Sequence, residues 1–128
     1  MHSLGVFLIQ VISLLNTDCS FPGVQEYRIY STEEFDKDFS KLDSDLQRRI
    51  DKEIQQLRVN PFVGKPLGYR FFREKKVKKY RIYFLIYDEL VVVFVIAISD
   101  KKTQQDAINT IKSLIPHYRD LIKKKLSL

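Results

Sequence analysis

The sequence predicts an α+β domain, an antiparallel sheet with a helical hairpin and a C-terminal helix packed against it. Short runs rich in aromatic and β-branched residues read as strands at Tyr27–Tyr30, around Tyr69–Phe72, at Tyr80–Tyr87 and from Val91 to Ile98. Two amphipathic stretches separate the first run from the second, and a third follows the last. The order strand, helix, helix, three meandering strands, helix assembles most simply as one sheet carrying a helical layer.

The first 23 residues stand apart. Leu4 to Leu15 is apolar except for Gln10 and Ser13, too short for a bilayer-spanning helix of about 20 residues. It follows no positive start and precedes no small-residue cleavage site, as a secretory signal requires. Three readings stay open: an element packed on the domain, a mis-called start with translation beginning near Val24, and a weak membrane or export signal. Residues 24–128 are read as a single domain.

After the Tyr27–Tyr30 strand, Ser31 stands three residues before Glu34, the spacing of a capping box that opens a helix. Phe35, Phe39 and Leu42 form its apolar stripe. Beyond Asp43 a second stripe runs through Leu46, Ile50, Ile54 and Leu57, with Arg48, Arg49, Asp51, Lys52 and Glu53 on the other side. A helical hairpin and one long bent helix fit this pattern equally. Asn60-Pro61 stops the helix, and Gly64, Pro66 and Gly68 predict an irregular segment. The charged region Glu74–Lys76 with Lys78–Lys79 reads as a hairpin turn. The return strand puts Tyr80, Ile82, Phe84 and Ile86 on one face and Arg81, Tyr83, Leu85 and Tyr87 on the other. Val91–Ile98 is apolar throughout, as in a strand buried on both faces. The last stripe, Ile108, Ile111, Leu114 and Ile115, is ended or kinked by Pro116.

Charge points to the partner class. Lys65 to Arg81 holds eight basic residues against one acid, Glu74, in a chain whose net charge is +6. That clustering fits an acidic partner, nucleic acid or protein, better than scattered lysines do. Cys19 is the only cysteine, which excludes an internal disulfide and fits a reducing compartment. His2 and His117 lie far apart without ligand clusters, so no dedicated metal site and no cofactor are expected. Glycine-rich phosphate loops and nucleophile elbows are missing.

Tyr80-Arg81-Ile82-Tyr83, Asp88-Glu89, the run Val91–Ile96 and then Lys101-Lys102 opening the final helix resemble the RelE/ParE superfamily of toxins from toxin–antitoxin pairs. Leu57-x-x-Asn60-Pro61 and Pro66-Leu67-Gly68 agree with it. The resemblance spans about residues 26–115 and implies a RelE-like fold, a twisted antiparallel sheet flanked by helices. It implies a cytoplasmic protein neutralised by a cognate antitoxin, with no stable membrane association. RelE-type members cut messenger RNA on the ribosome and inhibit translation; ParE-type members poison DNA gyrase. The resemblance favours a divergent, metal-independent endoribonuclease. The alternatives are a non-catalytic RNA- or protein-binding relative and a ParE-like gyrase inhibitor.

Cleavage by an attacking 2′-hydroxyl without a metal needs fixed cations to stabilise the developing charge and a group to move protons. Arg73, Lys76, Arg81 and Lys101 are the expected catalytic residues, and Arg70, Lys75, Lys78, Lys79, Lys102 and Tyr80 the expected RNA-binding ones. Glu74 reads more readily as a salt-bridged surface acid than as a base. Where RelE-type members place glycine, lysine and arginine this chain has Ser99, Asp100 and Lys101, and Ala107 stands where they place a tyrosine. Lysine cannot offer arginine's bidentate fork.

Overall fold

A computed structural model of the chain describes residues 26–128. The apolar stretch Leu4–Leu15, Cys19 and the alternative start near Val24 lie outside the described residues. The elements are β1 (Arg28–Ser31), α1 (Glu33–Ser40), α2 (Ser44–Leu57), β2 (Lys65–Tyr69), β3 (Phe72–Val77), β4 (Tyr80–Tyr87), β5 (Val92–Asp100), α3 (Gln104–Ser113) and α4 (Ile115–Lys125), with 3-10 turns at Pro61–Val63 and Asp88–Leu90. One five-stranded sheet has the order β1-β5-β4-β3-β2. Its pairs are antiparallel except at one edge, where β1 runs parallel to β5.

Side-chain alternation on the central strands builds two cores. Ile82, Phe84 and Ile86 of β4 and Val93 and Val95 of β5 meet Phe35, Phe39, Ile50, Ile54 and Leu57 of the α1–α2 hairpin. Tyr83, Leu85, Tyr87, Val92, Phe94 and Ile96 face the other way, onto Ile108 and Ile111 of α3 and Tyr118 and Ile122 of α4. The sheet is therefore sandwiched, with a helical layer on each side. That explains why β5 has no polar face.

The helix starts follow capping chemistry. Asp43 caps α2, its carboxylate accepting the Leu46 amide at 2.8 Å, so the hairpin is two helices and not one bent one. At α1 the cap is Thr32, one residue later than the capping-box spacing places it, and Ser31 instead donates to Asp36 Oδ1 at 2.6 Å. The Thr32 hydroxyl accepts the Phe35 amide at 3.0 Å and donates to the Ile96 carbonyl at 2.6 Å. Ile96 sits where the β4–β5 register slips between Tyr83 and Phe84, so this hydroxyl satisfies a carbonyl that the bulge frees from the ladder. Thr32→Val is expected to cost about 2 kcal/mol in urea unfolding, by losing a cap and orphaning a buried carbonyl.

Three local expectations shift. The charged stretch expected as a turn is mainly strand β3, and only Lys78 and Lys79 turn the chain into β4. The segment around Pro66 and Gly68 is the edge strand β2, with a register shift between Pro66 and Tyr69. Proline is tolerated at an edge because its missing amide would face solvent. Pro116 lies in the first turn of α4, so the C-terminal stripe belongs to two helices that meet at Leu114.

Candidate functional site

Pleating divides the basic stretch between the two faces of the sheet. On β3, Phe72 lies in the α3–α4 core and Val77 in the α1–α2 core. Alternation therefore sends Glu74 and Lys76 toward the α3 side and Arg73 and Lys75 toward α2. Lys76 pairs across the ladder with Arg81, and Arg81 with Ser99 on β5. These three residues form a row at the hairpin end of the sheet, beside the turn that leads into α3.

Beneath the row lies a hydrogen-bonded floor. Glu74, 7 % exposed, accepts a bond from Gln104 Nε2 at 2.8 Å, which ties β3 to the first turn of α3. The Tyr83 hydroxyl and Ser99 Oγ are 2.7 Å apart. Burial pushes the Tyr83 phenol up from its ordinary range; the Ser99 hydrogen bond and the Arg81 charge pull it back, while Glu74 adds to the rise. Tyr83 thus keeps its proton at neutral pH. Asp100 organises the entry to α3 by accepting both the Thr103 amide and hydroxyl at 3.0 Å, bonds that hold its carboxyl below the usual carboxylate range.

The sequence-predicted residues separate into groups. Lys76 and Arg81 come together, and Lys101 and Lys102 lie exposed just past the Tyr80–Asp100 pair at the same end of the sheet. Lys78 and Lys79 form the tip. Lys79 stands 5.5 Å over the Tyr80 ring, which lies toward α2. Lys75 pairs with Glu53 of α2 at 3.3 Å. Arg73 is on the far face, where it donates to the carbonyls of Arg70 at 2.8 Å, Phe62 at 2.9 Å and Gly64 at 2.6 Å. Arg70 is in the β2–β3 turn at the opposite end of β3, roughly 20 Å from Lys76 at strand rise. It pairs there with Asp88 at 3.1 Å and stacks on Phe62 at 4.0 Å.

Chemically, the α3-side cluster offers two positive charges beside a carboxylate and a phenol that are both engaged in hydrogen bonds. It can bind and orient an anion. Glu74 and Gln104 emerge as its organising pair; strand parity from Phe72 through Glu74 to Lys76 was the signal for it, masked by the reading of this region as a turn. Among the described residues no three His, Cys, Asp or Glu side chains converge.

Residues 29–105 match the sequence profile of the ParE toxin of the type II toxin–antitoxin system parDE. Comparison with characterised proteins by sequence gives no significant match. Among solved structures, the chain is similar to one in the intact E. coli RelBE toxin–antitoxin complex, with 25% identity and a TM-score of 0.52 over 59% of this chain and 95% of that one. It is also similar to an arginine-to-alanine double mutant of E. coli RelE bound to an antitoxin RelB peptide, with 25% identity and a TM-score of 0.55 over 64% of this chain and 94% of that one. The archaeal RelE–RelB complex from Pyrococcus horikoshii shares the fold at 17% identity, with a TM-score of 0.53 over 59% of this chain and 96% of that one.

Proposed function

The chain belongs to the ParE toxin family, within the RelE/ParE superfamily of type II toxin–antitoxin systems, and we propose that it is a toxin that arrests growth by binding its target, without cutting RNA. The target we assign is DNA gyrase, as for ParE-type toxins. One observation carries the choice: residues 29–105 match the ParE toxin profile, and beside Lys76 and Arg81 the carboxylate and phenol are each hydrogen-bonded to a neutral side chain, Glu74 to Gln104 and Tyr83 to Ser99. Fixed cations alone stabilise charge but do not activate a hydroxyl. A cognate antitoxin is the natural regulatory partner, because the similar RelE chains are held by RelB. A cytoplasmic site of action follows from such a target. No helix among the described residues is long and apolar enough to cross a membrane.

Metal-independent cleavage of messenger RNA on the ribosome is the second reading. The Lys76–Arg81 pair at the Lys101 end of the sheet supports it, since that arrangement suits a phosphodiester.

Induction of the protein, a gyrase supercoiling assay and 5′-end mapping of messages decide between them. Growth arrest with inhibited supercoiling and no new 5′ ends is expected. Lys76→Ala with Arg81→Ala should weaken inhibition about tenfold or more while the fold is kept. New ends within translated messages, lost in the same double variant, would establish the nuclease and overturn the binding reading.

A further inference from the structure

Of the large apolar side chains left exposed among the described residues, Val59 at 62 %, Val63 at 50 % and Tyr69 at 46 % gather at one corner, the Arg70 end of the sheet. Contacts tie them together there. Val59 follows Arg58, whose carbonyl accepts the Tyr27 amide at 2.8 Å and whose guanidinium holds Glu26 at 2.8 Å. Val63 follows Phe62, whose ring carries the Arg70 guanidinium at 4.0 Å. Arg70 in turn pairs with Asp88 at 3.1 Å, which also accepts the Tyr27 hydroxyl at 2.6 Å. Tyr69 stacks on Phe71 at 4.9 Å, on either side of Arg70 in the chain. Scattered apolar side chains need no cover, but a group gathered at one corner marks a docking surface.

One occupant is within reach. The described residues begin at this same corner, with Glu26 and Tyr27. Upstream, Leu4–Leu15 holds nine large apolar residues in twelve and no charge. Residues 16–25 join the two, and ten residues reach up to about 33 Å when extended. On so short a tether the apolar stretch meets the corner at an effective concentration in the millimolar range, ahead of a free partner at lower abundance. A second copy is the weaker candidate, because chains of net charge +6 repel one another, whereas Leu4–Leu15 is neutral.

We propose that residues 4–15 dock on the corner formed by Val59, Val63 and Tyr69, as an intramolecular cover. The apolar stretch is then a working part of the domain, hiding from water both its own side chains and those of the corner. Arg70 lies at the opposite end of β3 from Lys76, so the cover leaves the Lys76–Arg81 cluster open to a target and holds whichever target that is.

The test uses the full chain. Ser13→Cys with Cys19→Ser leaves a single thiol, within the apolar stretch, for a nitroxide spin label. Docking predicts strong broadening of the Val59 and Val63 methyl signals in nuclear magnetic resonance and none at Val77, at the other end of β3, with no dependence on protein concentration. Paired substitutions give a second readout. Leu8→Ser with Ile12→Ser, and Val59→Ser with Val63→Ser, should each lower Tm by about 4 °C or more, and all four together by little more than either pair, because both pairs break one contact. The corner pair is exposed, so its substitution leaves the fold intact. Broadening seen only between a spin-labelled chain and a separate isotope-labelled chain would make a second copy the occupant and overturn the proposal. Absent or uniform broadening, or additive losses of Tm, overturns it as well and leaves the corner to another protein. Supercoiling inhibition scored in parallel tests the gyrase reading separately.

Discussion

Phe84→Ala is expected to remove about 3–5 kcal/mol of stability, a large part of what a domain of this size has. Phe84 lies on the middle strand and is fully buried. It is flanked by Arg73 on β3 and Val95 on β5, and its ring reaches within 2.9 Å of where a Cβ on Gly64 would stand. The ring thus fills space left by a residue without a side chain. Once it is truncated, nothing nearby can swing in, because Gly64 is also pinned by the Glu74 carbonyl 2.9 Å from the same point. Urea unfolding should show a lower midpoint with an unchanged slope. A loss under about 1.5 kcal/mol would mean that the α1–α2 layer collapses onto the gap.

Arg73→Ala is expected to be the costliest charged-residue substitution, at about 3 kcal/mol, since it strips a cation from three carbonyls at once. The guanidinium also packs 5.1 Å from the Phe62 ring centre, and with Arg70 it pins the loop before β2. Arg73→Lys should restore little, because one ammonium cannot reproduce a planar fork aimed at separated acceptors. This bears on function. A growth assay alone would score Arg73→Ala as loss of a site residue. Thermal melts separate the cases: Arg73→Ala should lower Tm, whereas Lys76→Ala and Arg81→Ala should leave it nearly unchanged. An unaltered Tm for Arg73→Ala would return this side chain to the list of target-contacting groups.

Legibility followed the range of the forces involved. The stripes of α1 and α2 and the two-faced burial of β5 are local patterns, and each was readable from spacing alone. The two faces of β4 were legible too, because strand parity alone divides Tyr80–Tyr87 between them although every residue after Arg81 is apolar. What escaped the sequence depends on partners distant along the chain. Lys65–Tyr69 becomes a strand because β3 offers it a ladder, despite Pro66 and Gly68. The separation of Arg73 from Lys76 onto opposite faces needed β3 to be recognised as a strand, and its density of lysine argued for a turn. Glu74 gave no local sign of burial, since Gln104 lies 30 residues away. Thr32 outcompetes Ser31 as the cap because its hydroxyl also meets a carbonyl 64 residues on.

The parallel seam between β1 and β5 has a consequence in time. Arg28 lies opposite Val92 and Ser31 opposite Val95, so β1, the first of the described strands to leave the ribosome, has no neighbour among them until β5 is made. The β2–β5 meander closes through short turns and can assemble from local contacts, whereas β1 must join across a loop of some sixty residues. Among the described strands the one synthesised first is thus the one positioned last, and until β4 and β5 are made the α1–α2 hairpin that follows it has no sheet on which to lay its apolar side.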